Sequence, residues 1–449
     1  MGDRPVAVVI LAAGMGTRMK SALPKVLHPV AGLPMINHIQ KALAPLNPAR
    51  TVVVTSPGQD NVREAVAPAD TAVQTEALGT GHAVLAAREQ LEGFEGTLLV
   101  LFGDTPLLQT ETIQAMADIM EGPEDPAVAV LGFCPADPTL YGRLVTDADG
   151  RLEAIVEHRD CNEEQLKIGF CNAGIMGLDG RTALQFLDRI GNDNSKGEYY
   201  LTDIVAIARA AGRTCVTVEG DPEEVMGVDH RGKLAQAEAV AQRRLRDAAM
   251  AGGATLVLPE TVYFSHDTEL GRDVTVEPNV VFGPGVKVHD NVRIRAFSHL
   301  EGAEVHPEAE IGPYGRLRPG AEVRAGGKIG NFVEVKKAVI EEGAKVNHLT
   351  YIGDARVGAK ANIGAGTITC NYDGFFKYHT DIGAGAFIGS NTALVAPVKI
   401  GDGAIIGAGS TIASDVPADQ LALTRADQAG KDGWAARFRK VQSEKKAKK

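Results

Sequence analysis

The sequence predicts two domains of different build, an α/β domain around a parallel sheet and, after it, a parallel β-helix. Three observations carry this reading. Apolar runs alternate with helical stretches over the first half, a helix-forming segment follows, and from Leu270 to Ile412 an aliphatic residue recurs at every sixth position. At 449 residues the chain also exceeds what one hydrophobic core usually organises. The boundaries that follow are 1–229 for the α/β domain, 230–251 for a helical linker, 252–427 for the β-helix and 428–449 for a basic tail.

The first element is Val6 to Leu11 (VAVVIL), a continuous apolar run that leads into AAGMG and so reads as a buried parallel strand entering a glycine-rich turn. Thr51 to Thr55, Thr97 to Phe102 and Ala127 to Leu131 are further strands of this kind. Gly81 to Gln90 and Thr110 to Met120 are the helical stretches between them. Ligands of such sheets bind beyond the carboxyl ends of the strands, where the AAGMG turn and the later FGD turn fall. His230 to Met250 is rich in Ala, Arg and Leu and lacks proline, which predicts a long helix joining the domains.

The six-residue ladder runs through Leu270, Val276, Phe282, Val288, Ile294 and Leu300. After a slip it resumes at Ile311, Leu317, Val323, Ile329 and Val335. A third block holds Val346, Ile352 and then Ile363. The fourth holds Ile382, Ile388, Leu394, Ile400, Ile406 and Ile412. This period fits neither an amphipathic helix nor a half-buried hairpin, but it suits a β-helix in which each face turns one aliphatic inward and small neighbours make the corner. A one-residue slip can be absorbed at a corner. Thr369 to Asp381 (TCNYDGFFKYHTD) is too long for that and must loop out, a candidate functional excursion.

Composition narrows the function classes. A net charge of −11 argues against binding duplex nucleic acid, whose phosphates call for a basic face. The one basic stretch is the C-terminal FRKVQSEKKAKK, open to reading as a solvated end or as an arm for nucleic acid or membrane, and no function is assigned to it. No run of ~18 apolar residues and no leader-like start occur, so neither secretion nor membrane insertion is expected. Five dispersed cysteines without a CxxC indicate neither a disulfide framework nor a thiolate zinc site, and a cytoplasmic protein is the expectation.

The chemistry of the first half centres on LAAGMGTRMKSALPK, Leu11 to Lys25. Its glycines let backbone N–H groups approach a phosphate, and Arg18 and Lys25 supply the charge a triphosphate demands. The pattern is neither a Walker loop nor GxGxxG, and it resembles the opening motif of sugar-phosphate nucleotidyltransferases. Asp104 follows an apolar strand in FGDTP, where an aspartate is either a turn residue or an oxygen ligand for Mg²⁺. The reaction implied is in-line attack of a sugar-1-phosphate oxygen on the α-phosphorus of a nucleoside triphosphate, with pyrophosphate leaving.

Further motifs occur in order along the chain: QTEALGTGHA (Gln74 to Ala83), FGDTP, YGR (Tyr141 to Arg143), IVEHRD (Ile155 to Asp160), CNAGI (Cys171 to Ile175) and GEYYLTD (Gly197 to Asp203). Together they resemble the bacterial bifunctional N-acetylglucosamine-1-phosphate uridylyltransferases and glucosamine-1-phosphate acetyltransferases. The resemblance covers nearly the whole chain. It implies a Rossmann-like nucleotidyltransferase domain followed by a left-handed parallel β-helix of hexapeptide repeats, with UTP, acetyl-CoA and Mg²⁺ taking part. It further implies that Leu11, Ala12, Ala13, Gly14, Gln74, Gly79 and Thr80 surround the uridine. Arg18 and Lys25 would then meet the phosphates, and Gly142, Glu157 and Asn172 the N-acetylglucosamine. Asp104 is one metal ligand by this resemblance. At the other the family has Asn where this chain has Asp229, also a hard oxygen ligand but one that adds negative charge near the phosphates. Phe102 is a second departure, since some relatives carry Tyr before GD.

In the second half His348 (VNHLTY) falls off the aliphatic ladder beside Tyr351. A lone histidine is structural or catalytic. An imidazole, with an ordinary pKa of about 6.5, is suited to take a proton from an amine that attacks a thioester. The same resemblance makes His348 that base, and has Arg318, Lys336, Tyr351, Asn362 and Lys377 bind glucosamine-1-phosphate. Acetyl-CoA would lie along Ala365, Asn371, Tyr372, Ser390, Ala408 and Arg425. Direct transfer is expected, because neither Thr350 nor Ser390 has an evident base and orienting partner for an acyl-enzyme. The resemblance also implies a homotrimer with active sites at subunit boundaries. Two other readings are a single-activity pyrophosphorylase with a passive β-helix and a catalytically silent assembly subunit. His348, Lys336 and Asn371-Tyr372 speak against the first, and Lys25, Asp104 and the GTRM turn against the second.

Overall fold

The apolar run Val6–Leu11 becomes an interior strand of a nine-stranded sheet in the computed structural model, which describes residues 4–194 and 196–448. The strands are β1 (Val6–Leu11), β2 (Arg50–Thr55), β3 (Asp70–Val73), β4 (Thr97–Phe102), β5 (Val128–Phe133), β6 (Arg143–Thr146), β7 (Leu152–Val156), β8 (Cys171–Asp179) and β9 (Cys215–Glu219). Their order is β9-β5-β8-β4-β1-β2-β3. β1 pairs in parallel with both β2 and β4. Because side chains alternate across a strand, β1 sends Ala7, Val9 and Leu11 into one helix-covered core and Val8 and Ile10 into the other.

Two expectations are corrected here. The sheet is mixed, not wholly parallel: β8 runs antiparallel between β4 and β5, and the β6–β7 hairpin branches from it. β8 was illegible because its glycines break the apolar pattern. Its register against β5 shifts between Asn172 and Met176, around Gly174 at a φ of 84°. The stretch Gly81 to Gln90 is also not one helix. It divides into Thr80–Leu85 and Arg88–Leu91.

Compact units are formed by Met1–Asp247 and Ala248–Lys449. The long helix, Arg231–Ala251, is more than a tether, since it lays Ala237, Val240 and Ala241 on Val30, Met35, Leu107 and Val228 of the first unit. There Glu238 accepts from the Ala31 amide at 2.8 Å and Arg244 donates to the Leu107 carbonyl at 2.7 Å.

At the far end of β8 the carboxylate of Asp179 is fully buried and receives hydrogen bonds from Arg4, Arg181 and Arg213. Burial alone would raise its pKa, but the Arg181 and Arg213 hydrogen bonds and the Arg4 charge prevail and hold it below the usual carboxylate range. The stability it contributes is therefore complete above the unfolded-state value of about 3.9 and is lost as pH falls through the lowered native value. Asp179→Asn should cost about 3 kcal/mol at neutral pH, because it removes the buried one of the two carboxylates, Asp179 and the exposed Asp125, that the three guanidinium groups share. Urea denaturation of both proteins at pH 7 and at acid pH, with the difference shrinking in acid, checks this.

In the second unit the six-residue ladder closes into coils. Strands pair in parallel with offsets of 18 or 17 residues, as in Val276↔Ile294, Ile294↔Ile311 and Ile311↔Ile329. Three six-residue faces make one coil. Every ladder residue read from the sequence is at most 3% exposed, apart from Leu270, which is partly exposed on an early coil. The slips have a simple cause: Val305, Ile340 and Val357 fill the interior one residue early, where a corner is shortened and the offset is 17. Between Val357 and Ile382 the offset widens to 25. The surplus is narrower than Thr369 to Asp381, since Thr369 and Thr380 are themselves interior. The excursion is closed by a 2.9 Å bond from the Tyr378 amide to the Asn371 carbonyl. Asp373 shapes its turn by accepting from the amides of Phe375 and Phe376. The C-terminal segment forms an exposed helix, Trp434–Ala447, and no described helix is long and apolar enough to cross a membrane.

Candidate active sites

In the first unit the Ala12 amide donates to the Val54 carbonyl at 2.8 Å and the Gly103 amide to the Leu11 carbonyl at 3.0 Å. The AAGMG and FGD turns therefore leave the sheet side by side at its carboxyl edge. Gly16 has a φ of 61°, and a Cβ there would lie 2.6 Å from Cβ of Lys25, so glycine is what lets Lys25 fold against the turn. The Lys25 ammonium contacts the Asp104 carboxylate. A 2.8 Å bond from the Val228 amide to the Asp104 carbonyl brings Asp229 alongside, where Arg18 pairs with its Oδ2 at 2.7 Å. Each candidate metal carboxylate thus carries one candidate phosphate cation. Asp229 Oδ1 is buried without a hydrogen bond.

A cleft of about 430 Å³ opens beside these pairs. It is lined by Leu11, Ala12, Ala13, Gly14, Gln74, Gly79 and Thr80, together with Lys25, Phe102 and Asp104. The wall opposite the turn is the GEYYLTD segment. Gly79, at a φ of 104°, would place a Cβ 2.7 Å from the Tyr199 carbonyl oxygen, and Thr80 Oγ1 accepts from the Leu201 amide at 3.0 Å. Gln74 donates to the Gly79 carbonyl at 3.1 Å, which fixes its carboxamide in the cleft.

The candidate sugar residues also meet. The Asn172 amide donates to the Gly142 carbonyl at 2.9 Å, and a Cβ on Gly142 would stand 3.6 Å from Glu157 Oε1. Phe102 packs against Gly174, where a Cβ would be 2.9 Å from its ring. A cavity of about 570 Å³ lies along Glu157, Asn194, Lys196 and Tyr200, and Tyr200 lines the nucleotide cleft as well. Glu198 and Tyr200 received no role from the sequence, although the GEYYLTD motif that carries them was legible. A cavity of about 360 Å³ around Arg50 and Asp70, at the amino ends of the strands, holds none of these residues.

On the β-helix His348 stands in register with Asn331 of the preceding coil, and its Nδ1 lies 3.2 Å from Asn331 Oδ1. With Asn331 accepting, Nδ1 carries the hydrogen and Nε2 keeps the lone pair. Asn331 escaped the sequence reading, but counting back one 17-residue coil from His348 finds it. Thr350 donates its hydroxyl to the His348 carbonyl at 2.7 Å, a bond that steadies the histidine and employs that hydroxyl.

The pairings Val346↔Ile363, Ile363↔Ile388 and Ile388↔Ile406 place Ala365, Ser390 and Ala408 above His348 in one column. Arg425 ends it, donating to the Ala408 carbonyl at 2.8 Å. Asn371 and Tyr372 lie off this column in the excursion. Asn371 bonds Asp354 at 2.6 Å and reaches the Tyr351 hydroxyl at 3.5 Å, while the Tyr372 hydroxyl donates to the Gly374 carbonyl. Lys377 first and then Arg318, both cations beside it, depress the Lys336 pKa. Arg318 is anchored by Glu334 at 2.7 Å. Asn362 stands apart from this cationic group, in the column of Lys345 and Phe387.

A glycine-rich turn and paired carboxylates at the edge of an α/β sheet, followed by a hexapeptide β-helix bearing a histidine and a cluster of cations, define a two-headed transferase. Residues 8–163 match the MobA-like NTP transferase domain, and residues 267–302 and 379–414 match the bacterial transferase hexapeptide repeats. The chain is 59% identical to the bifunctional protein GlmU of Paramagnetospirillum magneticum over the whole of both chains. It is 64% identical to that of Rhodospirillum rubrum, over 96% of this chain and 97% of the relative. Against that of Azorhizobium caulinodans the identity is 58%, over 99% and 100%. The chain belongs to the GlmU family. It is a bifunctional enzyme, with a uridylyltransferase in its N-terminal half and an acetyltransferase on its left-handed β-helix.

Proposed function

We propose that the β-helix domain transfers acetyl from acetyl-CoA to the amine of glucosamine-1-phosphate. The N-terminal domain then joins the resulting N-acetylglucosamine-1-phosphate to UMP from UTP, releasing pyrophosphate and UDP-N-acetylglucosamine. The observation that carries this is the column in which Asn331 orients His348 directly below Ala365, Ser390 and Ala408. A passive β-helix has no use for it. Supplying glucosamine-1-phosphate, acetyl-CoA, UTP and Mg²⁺ should release free thiol and pyrophosphate together, whereas pyrophosphate release from N-acetylglucosamine-1-phosphate without any thiol would leave only a pyrophosphorylase.

In acetyl transfer Arg318, Lys336 and Lys377 hold the sugar phosphate, and binding a dianion relieves the repulsion between the two lysines. His348 Nε2 takes a proton as the amine adds to the thioester carbonyl. A C–N bond forms, the C–S bond breaks, and the departing thiolate is protonated. In uridylyl transfer a sugar-phosphate oxygen attacks the α-phosphorus, the α–β phosphoanhydride bond breaks, and Arg18 and Lys25 offset the charge on the phosphates. Asp104 and Asp229 would hold Mg²⁺. They offer a hard oxygen set suited to that ion, and one oxygen of Asp229 is buried and unsatisfied. Bound there, the ion supplies charge neutralisation to the triphosphate. Tyr200, which lines both cavities, marks where nucleotide and sugar meet.

Assembly belongs to the same reading. Phe297, Tyr314, Phe332 and Leu349 occupy one corner of successive coils, each at a φ between 50° and 61°, and each is about half exposed or more. The three rings stack 5.0 and 5.1 Å apart. Such a stripe next to His348 favours a homotrimer with acetyltransferase sites between subunits. Phe332→Asp should yield a smaller species by light scattering and lose most acetyl transfer with uridylyl transfer kept; an unchanged mass would move the interface elsewhere. The free state of all five cysteines fits a reducing cytoplasm. The helix Arg231–Ala251 serves as the linker in this scheme, with the β-helix ending near residue 427 and the basic tail from 428 onward.

A further inference from the structure

His289, Glu304 and His306 belong to neither active site. The pairings Val288↔Val305 and Val305↔Val323 turn those three valines inward, so the residues on either side of each face outward. Glu304 and His306 therefore flank Val305 on one coil, with His289 on the coil before and Glu322 on the coil after. The imidazole rings of His289 and His306 stack 4.8 Å apart at 8°, the spacing of adjacent strands.

Both imidazoles present Nε2 to carboxylate oxygens. His289 Nε2 lies 2.7 Å from Glu304 Oε1, and His306 Nε2 lies 3.9 Å from that oxygen and 3.2 Å from Glu322 Oε1. The ligand atoms of His289, Glu304 and His306 all fall within 4.8 Å of one another, and His306 Nε2 is buried without an aligned hydrogen bond. Of the neighbouring cations, Lys287 lies 3.6 Å from Glu269, while Arg324 Nε lies 3.1 Å from Glu322 Oε1, the oxygen that also faces His306.

We propose that His289, Glu304 and His306 form a binding site for a divalent transition-metal ion of the zinc class, a clip across adjacent coils on the outer face of the β-helix. Two imidazole nitrogens and one carboxylate are a common ligand set for zinc, and side-chain rotation suffices to bring them to bonds of about 2.0–2.2 Å. A water completes four-coordination, since Glu322 is engaged by Arg324. Mg²⁺, which prefers oxygen ligands, is a poor fit, so this site is chemically separate from the Asp104–Asp229 pair. A proton is the competing occupant. The Nε2–H tautomer of a neutral His289 satisfies Glu304 but leaves His306 Nε2 without a hydrogen bond, whereas one divalent ion engages both nitrogens and the carboxylate together.

The test is a Co²⁺ titration of the chelator-treated full-length protein in excess Mg²⁺, followed by visible absorption and repeated with Zn²⁺ by calorimetry. The expected result is one equivalent bound per chain and a thermal transition raised by several degrees with Zn²⁺. His289→Ala and the near-isosteric Glu304→Gln should each abolish the band and the shift while both transferase activities persist. No uptake by the unaltered protein, or a band of undiminished size in both variants, would overturn the proposal.

Discussion

Replacing His348 by alanine is expected to lower acetyl transfer by about a thousandfold, roughly 4 kcal/mol of barrier, and to leave uridylyl transfer at its original rate. The size follows from the role. In the proposed role the imidazole would take up a proton that the attacking amine must lose, and Thr350, two residues on, would not replace it, since it already donates its hydroxyl to the His348 carbonyl. The sugar-phosphate cations sit elsewhere on the coils, so KM for glucosamine-1-phosphate should hardly move while kcat falls. Thiol release from acetyl-CoA and pyrophosphate release from UTP, measured on the same preparation, check both halves. An unchanged thiol rate would place the base at another residue, and loss of both signals would mean that the substitution had damaged more than the acetyltransferase site.

The β-helix was legible because its period is arithmetical. An interior that admits one aliphatic per face writes itself into the sequence at every sixth residue, and Val276 to Ile412 obey it. What hid Val305, Ile340 and Val357 was a shortened corner, which shifts the count by one without changing what is buried. The α/β half was legible only where strands are continuous apolar runs. β8 is interrupted by glycine and changes register, so nothing local announces that it enters the sheet antiparallel. The sites divide in the same way. Motifs named the residues of the nucleotide cleft, but that Lys25 would meet Asp104, 79 residues on, depends on how two turns leave the sheet. Asn331 was silent for a related reason, since its partnership with His348 is written in coil length and not in any motif. The charged cluster at His289, Glu304 and His306 is likewise a product of coil stacking, and no spacing rule for metal ligands within a helix or a loop would have drawn it out.

Asp104→Asn is expected to lower uridylyl transfer by about two to three orders of magnitude and to spare acetyl transfer, the converse of the first substitution. Asp104 and Lys25 balance each other at the mouth of the cleft, as Asp229 and Arg18 do beside them. On the proposed reading, Lys25 would turn from the Asp104 carboxylate to the phosphate oxygens of an entering triphosphate, and Asp104 would be left free to hold the cation. An amide at 104 keeps the shape and one ligand oxygen but forfeits the charge, so the cation is held more weakly and Lys25 loses its partner in the free enzyme. The effect should therefore be partly relieved by raising Mg²⁺, which a merely structural role for Asp104 would not produce. Pyrophosphate release measured across a range of Mg²⁺ concentrations decides it, and a rate equal to that of the unaltered enzyme at every concentration would remove Asp104 from the metal site. The adjacent Asp229 makes the experiment sharper. A second carboxylate, with one oxygen buried and unsatisfied, still holds full charge at the site when Asp104 is neutralised. A residual Mg²⁺ dependence in Asp104→Asn would then report on Asp229 itself.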